Sequence, residues 1–172
     1  QALRDALAMH RAGKNAVTLL SARLDDPFGY GRVIRGKGGA VAAVVEEKDA
    51  DEAQRAVCEI NSGAYWFDAA FLAKALKGLT PKNAQGEYYL TDTVAAANAA
   101  GLRAGAFICA DADMTLGAND RRQLRTLNEI ARMRVLERHL DNGVDIPCFD
   151  GVMIAPDVQI EHDAQVLPGT VL

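Results

Sequence analysis

Cysteine is scarce and scattered: the 172 residues hold three, Cys58, Cys109 and Cys148, and no CxxC pair. That excludes a zinc knuckle, a thioredoxin-type motif and a disulfide-stapled mini-protein, and predicts reduced, buried thiols in a cytoplasmic protein. Long hydrophobic runs are also missing, since nothing approaches the ~18 apolar residues of a membrane span. Gln1-Ala2-Leu3-Arg4-Asp5 interrupts any secretory leader with charges of both signs. There is no GxxxxGKS or GxxxxGKT loop and no GxGxxG opening a helix, so neither standard phosphate cradle is present. His10, His139 and His162 lie in unrelated contexts, which excludes a histidine-based triad or metal cluster and leaves them as surface or packing residues. Positive charge is not in excess: 19 Lys+Arg face 23 Asp+Glu, a net charge of −4, a poor match to a general nucleic-acid binder.

What is present is globular. Hydrophobic residues make up 49% and charged residues 24% of the chain, near the average for folded domains. At this length a domain buries roughly 70% of its unfolded surface. Leu3, Ala6, Leu7 and His10 recur at helical spacing over 2–12, with Gly13 as the stop. The apolar run 16–20 reads as a buried strand, and 25–31 is a dense cluster of breakers. Residues 32–35 and 40–45 read as two strands of a hairpin around Gly36-Lys37-Gly38-Gly39, which makes that glycine-rich stretch a turn. A charged helix is expected over 49–56 and a strand over 60–67, where Gly63 points to a close backbone approach. A helix over 68–76, a loop over 80–86, an Ala-rich helix over 88–100 and a strand over 106–109 follow.

From 120 to 142 runs a long helix with Leu124, Leu127, Ile130, Ala131, Val135 and Leu140 at spacings of three and four, capped by Asn142-Gly143. Its other face carries Arg121, Arg122, Arg125, Arg132, Arg134 and Arg138, either a phosphate-binding stripe or a solvated face interleaved with Glu129 and Glu137. The tail changes period. Ile154, Ile160, Val166 and Leu172 are six residues apart, with the small or β-branched Val158, Ala164 and Thr170 between them. Such hexads mark a parallel β-helix, whose rival is an irregular strand pair. One coil cannot close its own core and must stack on something. The expected division is an α/β part over 1–118, a connecting helix over 119–143 and a first coil over 144–172. The chain begins in a helix-like pattern and ends in a strand-like one, as an internal fragment would.

Five stretches could carry chemistry. The glycines of Gly29-Tyr30-Gly31-Arg32 let backbone approach a ligand, or simply make a turn. Val45-Glu46-Glu47-Lys48-Asp49, at a strand end, offers carboxylates to sugar hydroxyls or a metal, or is a solvated charge run. Asn61, in Ile60-Asn61-Ser62-Gly63, is a polar amide in a strand and needs partners from backbone or ligand. Gln85-Gly86-Glu87-Tyr88-Tyr89-Leu90-Thr91-Asp92 groups donors and acceptors suited to a polyhydroxylated ligand; it also reads as a helix N-terminus with Glu87 favouring the dipole. In Gly117-Ala118-Asn119-Asp120-Arg121, Asn119 or Asp120 is a helix cap or an oxygen donor to a hard cation.

In order and spacing, Asp25-Asp26-Pro27-Phe28-Gly29-Tyr30-Gly31-Arg32 and the other four motifs, the third beginning at Glu59 and the fourth at Asn83, strongly resemble one family. It is the bacterial bifunctional enzyme that acetylates glucosamine-1-phosphate and uridylylates N-acetylglucosamine-1-phosphate. The resemblance runs over 3–172. It is most specific at 85–92 and in the passage from the long helix into the hexad tail. It implies a Rossmann-like nucleotidyltransferase domain, here its C-terminal portion, then a long connecting helix and the start of a left-handed parallel β-helix that forms homotrimers. It implies a cytoplasmic enzyme with Mg²⁺ as cofactor and UTP and N-acetylglucosamine-1-phosphate as substrates. Acetyl-CoA would serve the parent's second activity, and the product would feed peptidoglycan precursors. By the same resemblance, Gly31 offers backbone to the sugar nucleotide, and Glu46 and Asn61 hold the sugar's hydroxyls and amide. Tyr89 and Thr91 neighbour sugar and phosphate with Glu87 in support, and Asn119 is one of two protein ligands of Mg²⁺.

The chain departs from the family at Glu47, where His is frequent, and at Asp120, where a second Asn is frequent. The family's triphosphate loop, uracil pocket and other Mg²⁺ ligand correspond to positions before Gln1, and its acetyl-CoA site to positions after Leu172. The resemblance therefore implies the sugar-binding half of one active site, inactive alone. Another sugar-1-phosphate nucleotidyltransferase with a hexad tail, and a non-catalytic trimerisation scaffold, are the alternatives.

Overall fold

Val17, Leu19, Leu20 and Ala22 are all buried, so β1 (Val17–Arg23) is covered on both faces, which accounts for its lack of polar alternation. The structure, a computed structural model, describes residues 1–118 and 120–172 and divides into two compact units, Gln1–Leu116 and Gly117–Leu172.

In the first unit β1 sits inside a five-stranded mixed sheet of order β3-β2-β4-β1-β5, with β2 (Arg32–Arg35), β3 (Val41–Val45), β4 (Glu59–Phe67) and β5 (Ala104–Ile108). β1 and β5 are parallel and the other pairs antiparallel. Val17 and Leu19 pack with Val33, Val41 and Val44 beneath Val94 and Ala97 of α4 (Asp92–Ala99). On the other face, Leu20 and Cys109 pack with Ala6 of α1 (Ala2–Gly13). Helices on both faces of a sheet make the α/β layering that the alternating pattern predicts. Within the sheet, Arg35 of β2 grips buried Glu59 of β4 through two hydrogen bonds of 3.0 and 2.6 Å, and Ser21 of β1 donates to the same carboxylate at 2.8 Å.

Several local expectations shift. α1 runs through Gly13 and closes on Lys14, whose N–H bonds to the Arg11 carbonyl. The charged segment 49–56 keeps only a short helix, α2 (Glu52–Arg55), started by a reciprocal Asp51–Gln54 capping box. Asp68 caps α3 (Ala69–Ala75). Gly63 meets no close neighbour; it is needed because its φ is +83°, inside an irregularity where the β1–β4 register slips between Leu19 and Ser21. Cys58 is exposed, against the expectation of buried thiols, while Cys109 is buried. No helix among the described residues is long and apolar enough to cross a membrane.

In the second unit α5 (Arg121–Asp141) is capped by Asp120, whose carboxylate accepts the Gln123 N–H at 2.7 Å. Leu136 of α5 packs with Val144, Ile146, Val152, Ile154 and Val166, and Val158 and Ile160 pack against that cluster. Two of the arginines on the polar face have structural partners. Arg132 donates to the carbonyls of Phe149 and Val152, both at 3.0 Å, and Arg138 to that of Pro156 at 2.9 Å. The chain beyond the helix then runs parallel to itself, with Asp145 opposite Gln165 and Met153 opposite Val171, pairs 20 and 18 positions apart.

Candidate active site

The site is built on the ends of β2, β3 and β4. β3 ends at Val45, which pairs with Arg32, and delivers Glu46 and Glu47 just past that pair. Arg32 also pairs with Ile60, which sets Asn61 beside Gly31; the Asn61 N–H donates to the Gly31 carbonyl at 2.8 Å. Gly31 suits this closeness. A Cβ there would stand 3.1 Å from Glu46 Oε2 and 3.2 Å from Val44 Cγ1. The loop before α4 closes the group, with the buried Thr91 hydroxyl donating to Glu46 Oε1 at 3.1 Å. Gly31, Glu46, Asn61 and Thr91 therefore share one constellation.

Next to it a second network fastens the 83–89 loop to the end of the hairpin. Lys48 donates to Gln85 at 2.7 Å, and Gln85 donates to the Tyr89 hydroxyl at 2.8 Å. The Ala84 N–H reaches the Asp49 carboxylate at 2.7 Å. Burial raises the pKa of Tyr89 above the ordinary phenol value, with Asp49 adding to the rise, so Tyr89 is a neutral donor at working pH. An open cleft of ≈ 710 Å³ lies along these residues, lined by Phe28, Gly29, Glu46, Glu47, Lys48, Arg55 and Gln85. Carboxylates, the Gln85 amide and backbone groups line this open cleft, with the Thr91 hydroxyl behind Glu46, a set that suits a ligand with many hydroxyls; no Ser, Thr, Cys or His is among the described lining residues.

Two sequence candidates fare differently. Glu87 is exposed and contributes its backbone carbonyl to Asn83 at 2.5 Å. It does not sit at a helix N-terminus either, because α4 starts at Asp92, four residues later than the Ala-rich pattern predicts. The hydroxyl of Thr91, at the N-cap position, makes no capping bond and is given to Glu46 instead. Asn119, the proposed Mg²⁺ ligand, lies outside the described residues. Among the described residues no group of three or more His, Cys, Asp and Glu side chains is arranged to hold a metal ion.

Sequence reasoning also missed Tyr65. On the same strand as Asn61, its hydroxyl is buried beside the Asn61 side chain and makes no hydrogen bond of full geometry. Burial pushes its pKa well up; the nearby Asn61 amide offsets part of this and the Glu46 carboxylate adds to it. Its ring stacks on Phe67 with centroids 5.5 Å apart, so from the sequence it reads only as core.

Comparisons with known proteins bear on this geometry. A family model described as nucleotidyl transferase matches residues 1–120. A protein of Streptococcus suis (strain 98HAH33) named "Bifunctional protein GlmU" is 42% identical over 172 residues, which are all of this chain and 37% of that relative. A protein of the same name from Caldanaerobacter subterraneus subsp. tengcongensis is 45% identical over 170 residues, 99% of this chain and 37% of the relative. The chain thus spans little more than a third of the length of these relatives. Among solved structures, a Bacillus anthracis protein described as a glucose-1-phosphate thymidylyltransferase, in complex with sucrose, superposes with a TM-score of 0.56. The match is 19% identical and covers 76% of this chain and 49% of that one, so it speaks for the fold alone.

Proposed function

This chain belongs to the nucleotidyl transferase family, and we propose that it supplies the sugar-binding part of an enzyme that transfers a uridylyl group from UTP to N-acetylglucosamine-1-phosphate. The products are UDP-N-acetylglucosamine and pyrophosphate. The observation that carries the proposal is the meeting of Gly31, Glu46, Asn61 and Thr91 in one contact group, of which Glu46 also lines the open cleft. The similarity to bifunctional GlmU proteins along the whole chain supports the choice of sugar and base.

In this reaction an oxygen of the sugar phosphate attacks the α-phosphorus of UTP in line. A new P–O bond forms as the bond to the β-phosphate breaks, and the electron pair leaves with pyrophosphate. No covalent enzyme intermediate is needed, so the protein's task is positioning and electrostatic stabilisation. Glu46 would accept from sugar hydroxyls and the Asn61 amide would bond the N-acetyl group. Gly31 leaves room for the sugar against the backbone. Tyr89 and Thr91 would donate on the side of the phosphate, and Glu87 would support the loop that carries them. Mg²⁺ bound with Asn119 as one oxygen ligand would neutralise phosphate charge.

The second unit fits the same proposal. Its hexad residues Ile154, Ile160 and Val166 pack on one cluster and its backbone pairs in parallel at spacings near 18, which supports reading 144–172 as the first coil of a left-handed β-helix. Trimerisation through that helix, use of acetyl-CoA by the full-length protein, a cytoplasmic location and a role in cell-wall precursor synthesis belong to this proposal. The test is an assay of the full-length protein with UTP and N-acetylglucosamine-1-phosphate, beside dTTP and glucose-1-phosphate. Pyrophosphate release specific to the first pair is expected. Preference for another sugar phosphate or base would overturn the proposal.

A further inference from the structure

We propose that the Arg32–Glu47 ion pair is a positioning device that holds the Gly29–Gly31 turn against the Glu46 carboxylate and thereby sets affinity for the sugar phosphate; this rests on the functional reading above. Arg32 is 1% exposed. One guanidinium nitrogen donates to Glu47 Oε2 at 2.6 Å, and another donates to the carbonyl of Tyr30. The same Glu47 oxygen accepts the Gly29 N–H at 3.2 Å. The turn is therefore tied at Gly29 and at Tyr30 to one carboxylate–guanidinium unit, and Glu47 is the chain neighbour of Glu46. Between those ties Gly31 approaches Glu46 so closely that no Cβ fits without displacement.

The pair is a costly way to hold a fold. Burying an arginine is compensated only by full pairing, and a buried ion pair is weak evidence for stability. Here the Arg32 Nε is buried with no partner. Arg55, 3.7 Å from the other Glu47 oxygen and half exposed, adds little. What the pair does achieve is a fixed distance between a backbone turn and a carboxylate from a different strand, which is what a sugar bound between them requires. The Arg32 hydrogen bond holds the Glu47 carboxyl below the usual carboxylate range, burial opposing and the Gly29 N–H assisting, so the link stays charged at neutral pH.

The test uses the full-length protein with Glu47→Gln and Arg32→Lys, and Glu59→Gln as control. Glu59 forms the other carboxylate–guanidinium pair of the sheet, with Arg35, and has no place in the proposed site. Because a thermal midpoint can fall in all three, KM is measured below the lowest midpoint. Both cleft variants should raise KM for N-acetylglucosamine-1-phosphate about tenfold, the loss of roughly one charge-assisted hydrogen bond, and leave KM for UTP unchanged; Glu59→Gln should move neither. An unmoved sugar-phosphate KM in the cleft variants, an equal rise for both substrates, or the same split in Glu59→Gln would overturn the positioning role. Wild-type protein that does not turn over the sugar phosphate would instead overturn the functional reading.

Discussion

Thr91 donates its hydroxyl to the Glu46 carboxylate at 3.1 Å, and that bond joins the loop before α4 to the end of β3, where Glu46 lines the cleft. It spends the side chain at the helix's N-cap position on a carboxylate 45 residues away in sequence. A residue at that position ordinarily serves its own helix. Here it bonds Glu46 instead, as a carboxylate that is to bind the proposed sugar would need to be held.

Thr91→Val tests the consequence. The shape is kept and the donor is lost. Since no capping bond exists, the helix should not weaken; the stability loss should stay near the ~1 kcal/mol of one hydrogen bond. KM for the sugar phosphate in the full-length protein should rise several-fold, read by steady-state kinetics beside thermal melting.

Tyr65→Phe should do the opposite of a usual core truncation. The hydroxyl is buried and makes no hydrogen bond of full geometry, the Asn61 side chain being its polar neighbour on the strand, so its removal relieves a poorly satisfied polar group at almost no change in shape. Thermal midpoint should stay level or rise, and the sugar-phosphate KM should not move. A clear loss of stability would mean that the hydroxyl has a partner.

His139 predicts a pH dependence. It is 3% exposed and neither ring nitrogen has a partner, so burial, helped by Arg138, lowers its pKa below the ordinary 6.5. The unfolded chain takes up a proton near pH 6.5 while the folded one does not. Stability is therefore whole above that value and falls as the pH drops from it toward the folded pKa. Melting between pH 8 and 5 should show a decline that His139→Phe flattens; equal slopes would contradict this.

Asn119→Ala separates a metal role from a structural one. Asp120 already caps α5, so stability should change little. If Asn119 offers an oxygen to Mg²⁺, the Mg²⁺ titration of activity should shift to higher concentration. An unshifted titration would remove Asn119 from the proposed site.

Much of this was legible in the residues themselves. The α/β order follows from apolar runs alternating with helical spacing; Glu46 in a charge run at a strand end, Asn61 as an amide inside a strand and Thr91 in a stretch rich in donors and acceptors were visible as candidates, and the family resemblance singled them out. What eluded the sequence was direction. The run Glu46-Glu47-Lys48-Asp49 also reads as solvated charge, yet its members face different partners: Glu46 meets Thr91, Glu47 meets Arg32, Lys48 meets Gln85 and Asp49 meets the Ala84 amide. Pairing across strands sets those directions, and strand pairing is not local. The same holds for Arg132 and Arg138. They lie on a helical polar face, but tail carbonyls 17 to 20 positions on claim their guanidinium groups. Tyr65 was invisible because an aromatic in an apolar strand carries no sign of whether its hydroxyl is satisfied.

In the proposed function, the group Gly31, Glu46, Asn61 and Thr91 binds the N-acetyl sugar phosphate. Its most direct test is Asn61→Ala in the full-length protein, with KM determined separately for N-acetylglucosamine-1-phosphate and for UTP. The expected result is a rise for the sugar phosphate of about tenfold, matching the loss of a hydrogen bond to a half-buried amide, with KM for UTP unchanged. An equal effect on both substrates, or none on either, would contradict it.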